Sequence, residues 1–348
     1  MVPKSAAPRP SATRMFHEAA EAPQAVQRLL AANAELVVAL GRHLRARPPH
    51  AVITCARGSS DHAATYAKYL IETSVGVLTS SAALSVSSVY SGVPQQLDGA
   101  LCLAISQSGR SPDLLSAAEA AKQAGALLVA MVNDAASPLT ALADRTLALQ
   151  AGAELSVAAT KSYIASLASI AQLTAAWTED HELAAALQAL PAQLAQAWDV
   201  DWEPAVARLT RASNLYVLGR GPGFAVAQEA ALKFKETCGL HAEAFSTAEV
   251  IHGPMALVGD GFPVLIFAQA DDSQRGVLTL ADQLRGRGAD VFVVGGTGPG
   301  ALPALDAHPT LQPILMIQSF YRLANALSVA RGLDPDRPPH LNKVTETV

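Results

Sequence analysis

The sequence has few cysteines, few aromatic residues and no excess of positive charge. Only three cysteines occur in 348 residues, Cys55, Cys102 and Cys238, and none has a paired spacing. This argues against a disulfide framework, and we expect buried free thiols at Cys55 and Cys102. Because no His-x-x-x-His pair occurs either, we expect neither a metal nor a cofactor. A net charge of −5 argues against a nucleic-acid partner, which normally meets a basic face.

Long apolar runs are missing as well. No stretch of about 18 uncharged apolar residues indicates a membrane span. Residues 1–14 are rich in Pro, Ala and Ser and lack the apolar core of a signal peptide. We therefore expect a cytoplasmic protein without a membrane partner, in which the alanine-rich windows near 164–176 form a buried helix.

The sequence does contain a large hydrophobic fraction, 50%, and an internal duplication. Strand-like segments of the first half recur in the second at a nearly constant offset: Val52 with Leu215, Leu101 with Val264, and Gly125 with Gly288. The segments between them, such as 60–73, 112–124, 223–237 and 272–287, are typical of helices. Alternating strands and helices indicate parallel βαβ units. We therefore predict an α/β fold of two doubly wound parallel-sheet lobes, each a three-layer αβα sandwich, with ligand sites beyond the carboxyl ends of the strands.

The predicted organisation follows from this duplication. Helical patterns precede the first lobe and connect the two lobes, whereas the proline-rich segment after residue 331 fits neither a helix nor a central strand. We predict a disordered start and helical preface over 1–46, a first lobe over 47–180, a helical connector over 181–204, a second lobe over 205–331 and an extended tail over 332–348.

A polar loop, Ser106–Ser111, lies between an apolar strand, Leu101–Ile105, and a helix that begins at Pro112. Ser111 is the expected N-cap, with Pro112 at the first helical position. A helix start offers free N–H groups and positive dipole potential, and serine hydroxyls add donors for phosphate oxygens. We interpret this loop as a phosphate site, the alternative being an ordinary serine-capped turn.

The second lobe differs at the equivalent position. It has Gln269-Ala270-Asp271-Asp272, whose carboxylates would repel a phosphate. The difference between the two loops indicates that only the first lobe binds the anion. Neutral sequence drift after the duplication would produce the same difference.

Ionisable residues concentrate over 229–254 in an otherwise apolar chain. On the predicted helix, Glu229, Lys233 and Glu236 share one face, which suits either a solvated Glu-Lys pair or a chemical cluster. His241 is expected to be a buried structural histidine. A second short helix is expected to start at Ser246 or Thr247 and to end at His252.

Four blocks of sequence resemble the SIS (sugar isomerase) proteins, above all the isomerase half of glutamine–fructose-6-phosphate amidotransferase. The blocks are Ser106–Gly109, Ala158–Lys161, His241 through Pro254, and Asp334 through Lys343. The resemblance runs from about residue 15 to the C-terminus. It implies two SIS lobes, a sugar-phosphate substrate and a homodimer with sites near the subunit interface.

The resemblance also implies roles for individual residues. It places the phosphate contacts on Ser59, Ser60, Ser106, Gln107, Ser108 and Ser111, with Ala158 as a further substrate contact. Glu236 would move a proton between sugar carbons 1 and 2, and such a step needs a carboxylate that accepts and returns a proton. His252 would open the sugar ring, donated by the neighbouring subunit. Lys343 would form an imine with the open ketose, supported by Lys233.

The chain departs from the family pattern at Ala159, Ala248, Ile251 and Asn342, where the family has Ser, Gly, Lys and Ala. Val2 follows Met1, so we expect no glutaminase domain with its N-terminal cysteine and no built-in ammonia source. These differences favour deamination of glucosamine 6-phosphate to fructose 6-phosphate and ammonia.

Alternatives to this reaction stay open at the level of the sequence. They are glutamine–fructose-6-phosphate transamination with a separate ammonia source, a galactosamine 6-phosphate deaminase-isomerase, a fructosamine 6-phosphate deglycase, a plain aldose–ketose isomerase, and a non-catalytic sugar-phosphate sensor. A DNA-binding sensor is disfavoured, because about 45 residues before the first lobe are too few for a DNA-binding domain and lack basic character.

Overall fold

Parallel strands and helices alternate along the chain in two compact units. The computed structural model describes residues 9–92 and 96–343. The N-terminal unit contains Gln24–Ala153 and Ser162–Pro191, and the C-terminal unit contains 9–23, Glu154–Lys161 and Ala192–Lys343. Val2, most of the expected disordered start and the end of the predicted tail lie outside the described residues. The domain boundaries drawn from the sequence stay a prediction.

Helices form most of the regular structure. In chain order they are α1 Arg14–Ala20, α2 Ala22–Ala32, α3 Ala34–Ala46, α4 Ser59–Leu70, α5 Ser85–Ser88, α6 Pro112–Gln123, α7 Pro138–Leu142, α8 Lys161–Thr178, α9 His181–Trp198, α10 Glu203–Leu209, α11 Pro222–Cys238, α12 Gln274–Arg285 and α13 Gln312–Ala330. The helices α1–α3 lie within the range predicted for the preface, and α8 confirms the buried alanine-rich helix. No helix in the described part of the chain is long and apolar enough to span a bilayer.

The strands are short and all of them pair in parallel. In chain order they are β1 Val52–Cys55, β2 Thr79–Ser81, β3 Leu101–Ser106, β4 Leu127–Val132, β5 Arg145–Ala148, β6 Asn214–Gly219, β7 His241–Ser246, β8 Pro263–Phe267, β9 Asp290–Val294 and β10 Ala301–Leu302. Their order is β2-β1-β3-β4-β5 in the N-terminal unit and β7-β6-β8-β9-β10 in the C-terminal unit. The predicted α/β fold with two doubly wound sheets is confirmed.

The central strands carry the core of each unit. Every residue of β3 and β8 is buried, which explains why both sequences are almost continuously apolar rather than alternating. In the N-terminal unit, Cys55 and Cys102 lie in this core as free thiols, as predicted. Apolar side chains of α6 and α12 cover one face of their respective sheets.

The duplication extends to backbone dihedral angles. Gly58 precedes α4 with φ 54° and ψ −131°, and Gly221 precedes α11 with φ 54° and ψ −137°. This conformation is essentially restricted to glycine, because a Cβ would be strained there. The two strand-to-helix turns are therefore copies of one structure, and residues after them can be compared position by position.

The predicted short helix before Gly253 is confirmed at its end, His252, but wrong at its start. Residues expected to form a short helix from Ser246 or Thr247 instead end strand β7 and enter a 3₁₀ turn, Glu249–His252, followed by a second turn, Pro254–Leu257. Ser246 Oγ accepts the Glu249 N–H at 3.1 Å, so the serine closes this turn. Gly253, with φ 142°, separates the two turns and prevents a continuous helix.

Candidate active site

The predicted phosphate loop lies where the strand order of the N-terminal sheet reverses. β1 and β3 are neighbours, and α4 and α6 start just beyond their carboxyl ends. Ligands of doubly wound sheets bind in the crevice at this reversal. Ser59 and Ser60 begin α4, and Ser106–Ser111 leads into α6, so the two predicted groups of phosphate contacts share one edge of the sheet.

Internal hydrogen bonds preform the loop. The Gly109 N–H donates to Ser106 Oγ at 2.9 Å, and the Arg110 N–H donates to Ser108 Oγ at 3.4 Å. Each hydroxyl thus accepts a backbone proton and keeps its own proton for donation to an anion. Gly109 has φ 62°, and a Cβ there would collide with the Ser137 side chain. Ser111 is the N-cap of α6 as predicted, but its side chain makes no capping hydrogen bond.

Two residues that the sequence reasoning missed connect the loops. Arg57, in the turn after β1, forms an ion pair with Asp113 in the first turn of α6, with Nε and Oδ2 2.8 Å apart. The Asp113 side chain is fully buried, whereas 52% of the Arg57 side chain is exposed. This ion pair joins the turn after β1 to the start of α6 beside the predicted anion site. The sequence does show Asp113 in the first turn of α6. Acidic residues are common in first helical turns, so Asp113 alone did not predict an ion pair with Arg57.

The C-terminal unit fills its equivalent loop with its own side chains. Asp271 Oδ1 accepts both the N–H and the hydroxyl of Ser273, at 2.9 and 2.5 Å. Gln269 Nε2 donates to Asp271 Oδ2 at 2.9 Å. A carboxylate of the chain occupies the place where an anion would be held, which explains physically why this lobe is unsuited to phosphate.

The cluster of Glu229, Lys233 and Glu236 on α11 is buried rather than solvated. Glu229 and Lys233 are 0% and 1% exposed, and the Glu236 side chain is 20% exposed. Lys233 Nζ lies 3.4 Å from Glu229 Oε1 and forms a still closer ion pair with Glu236 Oε2. Burial alone would lower the pKa of Lys233, but the two carboxylates outweigh burial, so its pKa lies above the ordinary value.

The duplicated helix shows that this cluster is not required by the fold. α4 has Tyr66 and Leu70 at the positions equivalent to Glu229 and Lys233, and both are buried. Buried ion pairs rarely stabilise a protein more than apolar residues of similar volume. The ionisable cluster therefore points to chemistry rather than to packing.

One of the two histidines of this region differs from expectation, and the predicted role of the other stays a prediction. His241 was expected to be buried, but 70% of its side chain is exposed, because it begins the edge strand β7. His252 ends the 3₁₀ turn and is exposed beside Ile251, which is 53% exposed. Among the described residues, no hydrogen bond or ion pair joins His252 to Glu236 or to Lys343.

Lys343 contacts the segment that contains Ala158. Its Nζ donates to the Ser156 carbonyl oxygen at 2.7 Å and lies 3.5 Å from Glu154 Oε2. Glu154 is buried, and its Oε1 accepts the Thr160 N–H at 2.9 Å. The predicted imine-forming lysine is therefore held by a buried carboxylate, Glu154, that the sequence reasoning did not identify. Ala158 is itself fully buried.

A second carboxylate supports the same segment. Glu18 on α1 accepts the N–H groups of Leu155 and Ser156, the latter at 3.0 Å. Burial raises the pKa of Glu18 against the lowering effect of these N–H groups, and the Glu154 carboxylate raises it further. Lys161, 1% exposed, pairs with Glu21 with Nζ and Oε2 2.6 Å apart. The segment 154–161 is thus fixed by charged groups on both sides.

Comparison with known proteins places these features in one family. The SIS domain pattern matches residues 47–176 and 208–308. The chain is 35% identical over 309 residues to the glutamine–fructose-6-phosphate aminotransferase (isomerizing) of Aeropyrum pernix, covering 82% of this chain and 49% of that protein. The chain thus spans about half the length of such curated relatives.

Solved structures give the same assignment. A protein of Silicibacter pomeroyi classed as a phosphosugar isomerase is 46% identical with a TM-score of 0.89, covering 93% of this chain and all of that one. The C-terminal domain of glucosamine-fructose-6-phosphate aminotransferase from Francisella tularensis is 25% identical with a TM-score of 0.83, covering 94% and 98%. The chain therefore belongs to the SIS domain family.

Proposed function

We propose that this enzyme converts glucosamine 6-phosphate and water into fructose 6-phosphate and ammonia. The observation that carries the proposal is the partly exposed carboxylate of Glu236, held by the ammonium of a fully buried lysine, Lys233. Such a group is positioned to accept a proton from carbon and to return it to an adjacent carbon. In the other repeat, Tyr66 and Leu70 stand at the positions of Glu229 and Lys233, and this difference supports a chemical role for the cluster.

Phosphate binding is assigned to loops of the N-terminal unit. The phosphate ester would accept hydrogen bonds from Ser59, Ser60, Ser106, Ser108 and Ser111 and from the Gln107 side chain. Ala158 stays a further predicted substrate contact. The preformed loop and the start of α6 support this assignment, because hydroxyl donors and a helix N-terminus favour an anion.

The proposed steps balance as follows. His252 opens the sugar ring, and Glu236 takes the proton from carbon 2 of the open aldose and returns it to carbon 1. The carbonyl oxygen on carbon 1 gains a proton, and the amino nitrogen loses one. The amino carbon thereby becomes an imine. Lys343 displaces ammonia by forming its own imine at carbon 2, and water then hydrolyses this imine to the ketose and free lysine. Donation of His252 by a second subunit of a homodimer stays a prediction.

A second candidate has its own support. The curated relatives carry the name glutamine–fructose-6-phosphate aminotransferase, and the same steps run in reverse would form the amino sugar from fructose 6-phosphate and ammonia. The two candidates share Glu236 and Lys343 and differ in the direction of net reaction and in the source of ammonia.

Ammonia release from glucosamine 6-phosphate tests the proposal. We expect wild-type protein to release ammonia, and Glu236→Gln to lower the rate by at least about a hundredfold, the usual contribution of a general base. The matched control is Glu243→Gln, an exposed carboxylate on β7 that should retain full activity.

The outcomes separate the candidates. Binding of glucitol 6-phosphate, measured by calorimetry, should persist in Glu236→Gln. Absence of ammonia release together with ammonia-dependent formation of glucosamine 6-phosphate would favour the second candidate. Full activity of Glu236→Gln in either direction would rule out the proposed base.

A further inference from the structure

A buried tyrosine contacts the ionisable cluster from another helix. Tyr321 lies on α13, is 0% exposed, and donates its hydroxyl to Glu229 Oε1 at 3.2 Å. Helices α11 and α13 pack directly against each other, and the rings of Phe234 and Phe320 meet edge to face with centroids 5.0 Å apart. None of the sequence motifs includes Tyr321.

The charges of the cluster do not balance within α11. One ammonium, on Lys233, faces two carboxylates, on Glu229 and Glu236, and Glu229 is fully buried. A buried carboxylate needs donors to replace the water that it has lost. The Tyr321 hydroxyl supplies one such donor to Glu229. Lys233 is therefore not the only donor to Glu229, and it can also pair with Glu236. Its ammonium lies closer to Glu236 than to Glu229.

We infer that Tyr321 is a positioning residue for proton transfer, acting through Glu229 and Lys233 on Glu236. Its hydroxyl stabilises the Glu229 carboxylate and so leaves the Lys233 ammonium to orient the carboxylate of Glu236. Without the hydroxyl, Glu229 competes more strongly for the ammonium, and Glu236 loses its orienting partner. This inference rests on the proposed role of Glu236, and it adds a residue that contacts neither the base nor the sugar.

The test is the rate at which the sugar carbon exchanges its proton with deuterium in D₂O, followed by NMR with fructose 6-phosphate. Tyr321→Phe keeps the ring and removes only the hydroxyl. We expect exchange about tenfold slower, the scale of one lost hydrogen bond to a charged group, with kcat reduced and KM unchanged. Binding of glucitol 6-phosphate should stay within about twofold of wild type, because the loops are untouched.

A matched control separates positioning from loosened packing. Ser328, also on α13 and buried, donates to the Thr237 carbonyl oxygen of α11 at 2.6 Å without touching the charged side chains. Ser328→Ala removes a hydrogen bond between the same two helices and should leave exchange within about twofold of wild type. If Ser328→Ala slows exchange as much as Tyr321→Phe, the effect is one of helix packing and the inference is wrong.

A double-mutant cycle tests the route of action. In Glu229→Gln, the competing charge is gone, so adding Tyr321→Phe should slow exchange by less than about twofold. A full tenfold loss in that background would overturn the inference. If Glu236→Gln itself retains exchange, the proposed function fails. If Glu236→Gln abolishes exchange but Tyr321→Phe matches wild type, only the inference about Tyr321 fails.

Discussion

At the scale of single residues, Lys233 shows how burial changes the meaning of a charge. On a solvated helix, an i,i+4 pair of Glu229 and Lys233 would contribute a few tenths of a kcal/mol. Inside the C-terminal unit the same pair is desolvated, and two carboxylates share the single ammonium. Removing one partner of a buried pair leaves an uncompensated charge, which is far more costly than losing a surface pair.

We expect Lys233→Met to lower the free energy of unfolding by about 3–5 kcal/mol at neutral pH, because two carboxylates lose their cation. The exposed neighbour Lys235→Met should change it by less than about 0.5 kcal/mol. Chemical denaturation with urea measures both. A loss for Lys233→Met as small as that of Lys235→Met would contradict the idea that Lys233 stabilises the two carboxylates of the cluster.

The same lysine predicts a pH dependence. The folded-state pKa of Lys233 lies above its ordinary value of 10.5, so its contribution to stability is complete below pH 10.5. It is lost as the pH rises above 10.5 through the folded-state pKa. The difference in unfolding free energy between wild type and Lys233→Met should therefore shrink above that pH, and a constant difference would contradict the assignment.

At the scale of elements, the start of α1 depends on a residue distant in sequence. Both oxygens of Asp336 accept backbone N–H groups, from Arg14 at 2.7 Å and from Met15 at 2.8 Å. Thr13 supplies the N-cap and accepts the Phe16 N–H at 3.2 Å. Asp336 thus satisfies free N–H groups at the N-terminus of α1. This helix contains Glu18, which accepts N–H groups of segment 154–161.

We expect Asp336→Ala to destabilise the protein by about 1 kcal/mol, as for loss of a helix cap. Asp306→Ala, which removes an exposed carboxylate between β10 and α13, is the matched control and should be nearly neutral. Hydrogen exchange of the α1 amides is the direct measurement. Unchanged protection in Asp336→Ala would show that Thr13 alone holds the helix start.

At the scale of the whole molecule, the duplication produced two copies of one strand-to-helix loop. The two copies now differ in the side chains that would meet an anion. The N-terminal copy keeps hydroxyls that retain protons for an anion, whereas Asp271 fills the C-terminal copy. One phosphate per chain is the expectation that follows, although the fold has two equivalent loops.

We expect Ser108→Ala to weaken binding of glucitol 6-phosphate about tenfold, because a charged acceptor loses one donor. Ser273→Ala, in the equivalent C-terminal loop, should leave that affinity within about twofold. Isothermal titration calorimetry with each variant gives the comparison. An equal loss in both variants would mean that the two loops had not diverged in function.

Local pattern was sufficient for the α/β fold, the duplication, the loop before α6 and the helical preface. These features depend on side-chain periodicity and on residues adjacent in the chain. Pattern failed at His241, because alternation along β7 does not reveal that this strand lies at a sheet edge. It also failed at the start of the short helix that ends at His252, because Ser246 is the last residue of β7.

By itself, the sequence determined where each repeat begins, which strands are buried and which loop carries hydroxyls, since all of these are encoded by neighbours along the chain. Only the tertiary structure decided that Lys233 is buried between two carboxylates, that Tyr321 donates to Glu229 and that Glu154 holds Lys343. The physical reason is that desolvation and long-range hydrogen bonds arise when distant segments pack, and no local pattern specifies which groups will meet.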